Sequence, residues 1–378
     1  MPPIDSPGTG KRPQTQTQTQ TQTQTQTQTQ TQTQKGSTVP LAPLPTVTIT
    51  PVAYFPKGSF LENLAVRRDG SVLVSSLLHK QLWCAPGPEP SLEAEPVVVH
   101  TFDNIVMGLV EAEPETFIVS LSDGYTTHES HLARLDLTGW TPGSPVAPEI
   151  IYTFDYRARA LNGSCLLASG VMLVADCFAG LIWRVDLDAG ARHARARIWC
   201  EHPTMRMDPD SDVAPPPQPG VNGIRFGPKT GYLYYTSTAQ QVFMRIPVNP
   251  VTLDPEDRPE FVAAIDNTDD FCIDEVAGFA YVTRHRGNTI DRVPLAPGHG
   301  SEVRHVAGDP FDDQLVGPSS AAWGRGPTDT GRVAYVTVDG GRTAPPPDGI
   351  VRDAALLRIE LQPAPTEEAP AYATVSRP

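Results

Sequence analysis

Residues 220–248 read GVNGIRFGPKTGYLYYTSTAQQVFMRIPV. Two strands, YLYYTST and QVFMRIPV, are joined by a short turn and preceded by a third run, NGIRFG; Gly and polar residues punctuate the breaks. The first run opens on a polar pair, Asn222-Gly223, pressed against Ile224 and Phe226. Local turn chemistry is one sufficient account of that pair, because Asn tolerates left-handed backbone and bonds its own main chain. The stretch recurs along the chain, and recurrence gives the amide a second meaning.

YLYYTST belongs to a series with SVLVSS, TFIVSLS, VMLVAD, FAYVTRH and VAYVTVD. Each is followed by a member of a second series: KQLWCAP, SHLARLDL, GLIWRVDL, QVFMRIPV, NTIDRVPL and ALLRIEL. A third series comprises TITPVAYF, PVVVHTFD, PEIIYTFD, ARIWCEH, PEFVAAID and VRHVAGD, and a fourth comprises ENLAVR, MGLVEA, NGSCLL, NGIRFG, DFCIDE and SSAAWG. Six sets of four strands predict an all-β six-bladed β-propeller with four antiparallel strands per blade. Units start near Glu62, Met107, Asn162, Asn222, Asp270 and Ser320, at spacings of 45, 55, 60, 48 and 50 residues. The longest interval holds the Pro-rich MDPDSDVAPPPQPG. TVTITPVAYF is predicted to supply the outer strand of the last blade, closing the ring and removing an open sheet edge.

Composition agrees. The 378 residues include 40 Pro and 30 Gly and show no long helical periodicity, which favours many short strands. A formal charge of −14 without clustered Lys and Arg excludes a nucleic-acid groove. No apolar run approaches the roughly 20 residues of a membrane-spanning helix. MPPIDSPGTGKRP lacks the apolar core of a secretory signal, so a cytoplasmic location is expected. Five cysteines, odd in number and without a C-x-x-C pair, read as reduced thiols. Gln14 to Gln34 alternate strictly with Thr, which assigns residues 1–45 to a disordered tail, 46–361 to the propeller and 362–378 to a flexible Pro-rich tail. The expected partner is a small molecule, not nucleic acid or membrane, and the oligomeric state is left open.

The first strand of each blade lines a propeller's channel, so Glu62, Met107, Asn162, Asn222, Asp270 and Ser320 are predicted to crowd one mouth. Carboxylates from Glu62 and Asp270 and amide oxygens from Asn162 and Asn222 form a hard-oxygen set suited to Ca²⁺ or Mg²⁺ and lack the thiolates and imidazoles of a zinc site. HESH at 128–131 has the wrong spacing for a metal motif, and G-x-S-x-G, H-E-x-x-H, P-loop and G-x-G-x-x-G signatures are absent.

LENLAVRRDGSVLVSS, LNGSCLLASGVMLVADCFAGLIWRVDL, the opening stretch and DDFCIDEVAGFAYVTRHRGNTIDRV resemble the senescence marker protein, gluconolactonase and luciferin-regenerating enzyme family of six-bladed propellers. The likeness covers roughly residues 46 to 361. It implies an axial divalent cation on Glu62, Asn222 and Asp270, with Asn162 helping to hold substrate or metal. Asn63-Leu64 and Phe271 stand where the family's hydrolases have Gly-Pro and Gly. LENLAV, YLYYT and the Gln pair resemble a fungal branch of natural-product pathways, similar to hetero-Diels–Alder cyclases that join a tropolone-derived quinone methide to a sesquiterpene.

Two enzymatic readings follow, the cyclase slightly ahead. A cyclase needs a dry, shaped cavity and hydrogen-bond donors. Met107, Tyr125, Phe178, Phe271 and Trp323 are its expected walls, with Asn162, Asn222 and Ser320 as polar anchors; no metal is required. A lactone hydrolase would use the cation to polarise a carbonyl, with Asp270 or Glu62 as base. Asp270, Asn162 and Asn222 are accordingly the expected catalytic residues. The third reading is a non-catalytic small-molecule-binding propeller.

Overall fold

The structure, a computed structural model, describes residues 43–87, 95–211, 217–296, 302–311 and 313–363. The Gln-Thr segment, and the C-terminal tail from residue 364, lie outside the described residues. The described residues form twenty-four strands in six antiparallel sheets of four. β1 (Thr46–Tyr54) precedes blade one, which is β2 (Leu61–Val66), β3 (Val72–Ser76), β4 (Gln81–Ala85) and β5 (Val97–Thr101). Blade two is β6 (Ile105–Glu113), β7 (Thr116–Ser122), β8 (Ser130–Asp136) and β9 (Glu149–Thr153). Blade three is β10 (Leu161–Ala168), β11 (Val171–Asp176), β12 (Leu181–Leu187) and β13 (Ala194–Glu201). Blade four is β14 (Val221–Gly227), β15 (Tyr232–Ser237), β16 (Val242–Pro247) and β17 (Glu260–Ala264). Blade five is β18 (Thr268–Asp274), β19 (Phe279–Arg284), β20 (Thr289–Pro294) and β21 (Arg304–Gly308). Blade six is β22 (Pro318–Trp323), β23 (Val333–Val338) and β24 (Ala355–Gln362), completed by β1. The six-bladed reading and its closing strand are both present: Thr46 pairs with Gln362 and Tyr54 with Ala355. No helix of the described residues is long and apolar enough to cross a membrane.

Apolar clusters fill the six blade junctions. Between blades six and one, Leu61 and Val74 meet Tyr335 and Leu356; between four and five, Tyr234 and Phe243 meet Phe271 and Val282. At about 1.5–3 kcal/mol for each fully buried large side chain, these clusters hold the blades together without help from a ligand.

Each inner strand carries a bulge near its start. Leu61 pairs with Ser76 and Leu64 with Val74, so Glu62 and Asn63 face the single residue Ser75. The same skip occurs at Met107-Gly108, Asn162-Gly163, Asn222-Gly223 and Asp269-Asp270, and in blade six at Ser319. In blades one, four, five and six a hydroxyl on the second strand occupies the gap. Ser75, Thr236, Thr283 and Thr337 accept from the backbone N–H groups of Asn63, Gly223, Asp270 and Ser320 at 3.0 to 3.1 Å. Three also reach the next blade, Thr236 donating to the Asp269 carbonyl at 2.5 Å, Thr283 to that of Ser319 at 3.2 Å and Thr337 to that of Glu62 at 2.7 Å. The hydroxyls thereby satisfy buried backbone groups that the bulge leaves unpaired.

The bulge also explains the Asn-Gly pairs. Neither member of Asn162-Gly163 or Asn222-Gly223 has positive φ, so the turn reading of the opening stretch does not hold. Glycine is needed because the next inner strand lies against it: a Cβ on Gly163 would come within 2.5 Å of the Asn222 carbonyl oxygen.

Candidate functional site

Strands one and two of a blade run antiparallel, so the start of every inner strand and the end of every second strand reach the same mouth of the channel. A cavity of about 320 Å³ opens there. Its floor is made by the first residue of five bulges: Glu62, Met107, Asn162, Asn222 and Asp269. Phe60, Leu77, Leu78, Ile105, Tyr125 and Phe178 supply apolar wall, and His285, Arg286, Arg342 and Thr343 complete the rim.

Glu62, Met107, Asn162, Asn222, Tyr125 and Phe178 thus lie where expected; Asp270, Phe271, Ser320 and Trp323 do not line the cavity. In blade five the register is displaced by one residue, so Asp269 and not Asp270 is equivalent to Asn222, and in blade six the skipped residue is Ser319 and not Ser320. Asp270 Oδ2 instead accepts from Arg225 Nη2 at 2.5 Å and from Ser320 Oγ at 2.6 Å, tying blades four, five and six together. Phe271 is fully buried, edge to face with Phe243 at 5.1 Å, and cannot narrow the mouth. Trp323 donates from Nε1 to the Ile273 carbonyl at 2.8 Å and packs on Tyr281 between blades five and six.

Electrostatics concentrate on the floor. Burial raises the Glu62 carboxyl well above its ordinary range, and the nearby Asp269, Asp339 and Asp270 raise it further. Burial likewise pushes Asp269 up to about 7, against the opposing pull of His285. The His285 ring sits in a single 3₁₀ turn, His285–Gly287, with Nε2 3.1 Å from Asp339 Oδ2. The two groups are within ion-pairing distance when the ring is protonated, without hydrogen-bond alignment. Burial alone would lower the His285 proton affinity, but Asp339 and Asp269 outweigh it and raise it. Asn162 Oδ1 accepts from Asn63 Nδ2 at 3.3 Å, while Asn222 Nδ2 donates to Thr238 Oγ1 at 3.1 Å.

A pH prediction follows from Asp269. Its carboxyl ionises near 3.8 when unfolded and about 7 when folded. Between those values the folded state holds more protons, so this group's contribution to stability falls as pH rises from about 4 to 7 and is level above. Asp269→Asn removes that dependence. The melting temperature of the variant relative to the parent is expected to climb by a few degrees from pH 4 to pH 7 and then stay constant. A difference that is flat across that window, in thermal melts at each pH, would show that Asp269 is not buried as described.

The expected ligand trio of Glu62, Asn222 and Asp270 is not assembled, since Arg225 and Ser320 engage Asp270. Among the described residues no three His, Cys, Asp or Glu side chains form a metal-binding group. Asp269 restores part of the set: with Glu62 and Asn222 it places two carboxyls and an amide from three blades on one floor, a donor chemistry that fits a hard divalent cation. The sequence reading also missed Phe60, Leu77, Leu78, His285, Arg286 and Arg342. Those after the second strands were accessible from the repeat itself, because LL, HR and RT follow the SS, VTR and VDGG strand ends that the antiparallel arrangement delivers to this mouth.

No family model and no curated protein matches the sequence. Solved structures share the fold. A luciferin-regenerating enzyme superposes with a TM-score of 0.57 at 15% identity, covering 83% of this chain and 95% of that one. Regucalcin, a calcium-binding protein from Agrobacterium tumefaciens str. C58, gives 0.55 at 15% identity over 82% and 95%. A gluconolactonase candidate gives 0.53 at 16% identity over 83% and 92%. Likeness at this level of identity establishes the propeller architecture that this chain shares with them.

Proposed function

We propose that the protein is an enzyme that takes a small, largely apolar organic molecule into the axial cavity and closes a ring by positioning and hydrogen-bond donation, as a hetero-Diels–Alder cyclase does. The supporting observation is the combination of apolar walls with two floor carboxyls, Glu62 and Asp269, of raised proton affinity. A carboxyl that keeps its proton near neutrality donates a hydrogen bond, and a donor aimed at the oxygen of a heterodiene lowers the barrier to cycloaddition. Asn162, whose oxygen is held by Asn63, lines the same floor and is a further polar anchor for the substrate. One C–O and one C–C bond form from an unsaturated carbonyl and an alkene, with no leaving group and no change of oxidation state, so no nucleophile is required. Holding the two partners in register supplies the larger part of the acceleration. The fungal resemblance assigns the heterodiene to a tropolone-derived quinone methide and the alkene to a sesquiterpene.

The test is direct. Purified protein is mixed with a quinone methide released in situ and a sesquiterpene alkene, and products are resolved by chiral chromatography. One stereoisomer should form at least about 100-fold faster than without protein. The same isomer ratio and rate with and without protein would overturn the reading.

Lactone hydrolysis is the second reading, favoured by the oxygen-donor set of Glu62, Asn222 and Asp269. These residues would hold a divalent cation such as Ca²⁺ or Mg²⁺, which when bound supplies Lewis-acid polarisation of an ester carbonyl. His285 in its neutral form, oriented by Asp339, would receive the proton of the attacking water, so this reading expects turnover to rise with pH through the raised titration of that ring. Under this reading millimolar Ca²⁺ raises the melting temperature by several degrees and EDTA abolishes turnover of a test lactone; under the cyclase reading neither reagent has an effect. A non-catalytic binding propeller would turn over neither substrate.

A further inference from the structure

The two sides of the cavity mouth differ in chemistry. Blades follow one another around the ring, so blade two lies across the axis from blade five, and blade three from blade six. Tyr125 and Phe178, which meet edge to face at 5.7 Å, come from the loops after β7 and β11 in blades two and three. Arg286 and Arg342 come from the loops after β19 and β23 in blades five and six, and all four side chains line the cavity. One side of the mouth is therefore aromatic and the other carries two guanidinium groups.

The nearby carboxylates leave Arg342 unmatched among the described residues. Asp339 is engaged by His285 and by the Gly341 N–H at 2.7 Å, and Asp348 and Asp313 pair with Arg352. Arg286 lies in the field of Asp339 and Asp269. Arg342 is exposed at the rim and, among the described residues, makes no hydrogen bond or ion pair.

We propose that Arg286 and Arg342 form a recognition site for an anionic oxygen of the substrate, a carboxylate or an acidic enol, so that the cavity selects an amphipathic organic acid whose hydrocarbon part lies on the Tyr125–Phe178 side. A guanidinium fork binds two oxygens at once and stays charged at any working pH, which suits it to that task. The floor residues Glu62, Met107, Asn162, Asn222 and Asp269 include no cation, so the anionic end of the ligand is matched at the guanidinium rim and not beneath it. The inference rests on the axial cavity being the substrate site.

Isothermal titration with naphthalene-2-acetate and 2-(2-naphthyl)ethanol tests it, since the two probes share a ring system and differ in charge. The acid should bind at least about tenfold more tightly at low salt, and the advantage should shrink as salt is added. Arg342→Gln and Arg286→Gln should each weaken the acid about fivefold or more while leaving the alcohol within about twofold. Equal affinity for the two probes, or an unchanged acid affinity in both variants, overturns the proposal, as does binding of neither. If the acid preference holds while cyclase and lactone assays show no turnover, the anion site stands and the enzymatic reading falls.

Discussion

Asp269→Ala and Asp270→Ala, at adjacent carboxylates of one strand, give opposite results. Asp269→Ala is expected to lower the proposed turnover by about 100-fold or more with the fold intact, because its carboxyl faces the cavity and its removal relieves a buried acid. Asp270→Ala unfolds the protein at a lower temperature. Its carboxylate is the partner of Arg225, whose side chain is one-fifth exposed, and breaking a largely buried pair from one side costs about 3–5 kcal/mol by leaving the other charge unmatched. Ser320 loses its acceptor in the same step. Circular dichroism melts and product assays on both variants decide the matter. If Asp270→Ala is as stable as the parent and inactive while Asp269→Ala is active, the blade-five register is wrong and the original reading of Asp270 as the axial residue returns.

Alanine at Gly108 is expected to be among the most damaging small substitutions at the described residues. Its Cβ would fall inside van der Waals contact of the Asn162 carbonyl oxygen, a backbone atom fixed within β10, and would also press on Ser164 Oγ. Neither inner strand can withdraw without opening a blade junction. Overpacking of this kind costs about 3 kcal/mol or more, because close-packed interiors do not absorb an added methyl. Gly231 is the control: it has positive φ with open space around its α-carbon, so alanine there pays only the backbone penalty of about 1–2 kcal/mol. Urea denaturation of both variants should rank them in that order. Equal costs would mean that the inner strands are farther apart than this geometry places them.

Much of the propeller was legible because its signal is repetition. Six runs of the YLYYTST kind and their three companion series locate every blade, and the closing role of TVTITPVAYF follows from counting strands. Register within a strand is a weaker signal. Asp269 and Asp270 are chemically identical, and spacing between blades varies by more than one residue, so periodicity could not choose between them. The choice was nevertheless written in the second strands: Ser75, Thr236, Thr283 and Thr337 each sit opposite a bulge, and aligning their hydroxyls would have shifted blade five by one. Phe271 and Trp323 misled for a related reason. On a bulged inner strand, side chains beyond the bulge turn into the junctions between blades, where aromatic residues fill the core.

By itself the sequence determined the fold class, the number of blades, the way the ring closes and the presence of oxygen donors near one mouth, all properties that depend on the order and periodicity of residue types. Tertiary structure decided how each acid is used: Asp269 opens on the cavity, Asp270 is matched to Arg225, and Asp339 is buried against His285. Those outcomes hang on a one-residue bulge and on loops from different blades converging in space. For the opening stretch the answer is now physical: Asn222 faces the cavity because of the bulge, and Gly223 follows it because the next strand lies against its α-carbon.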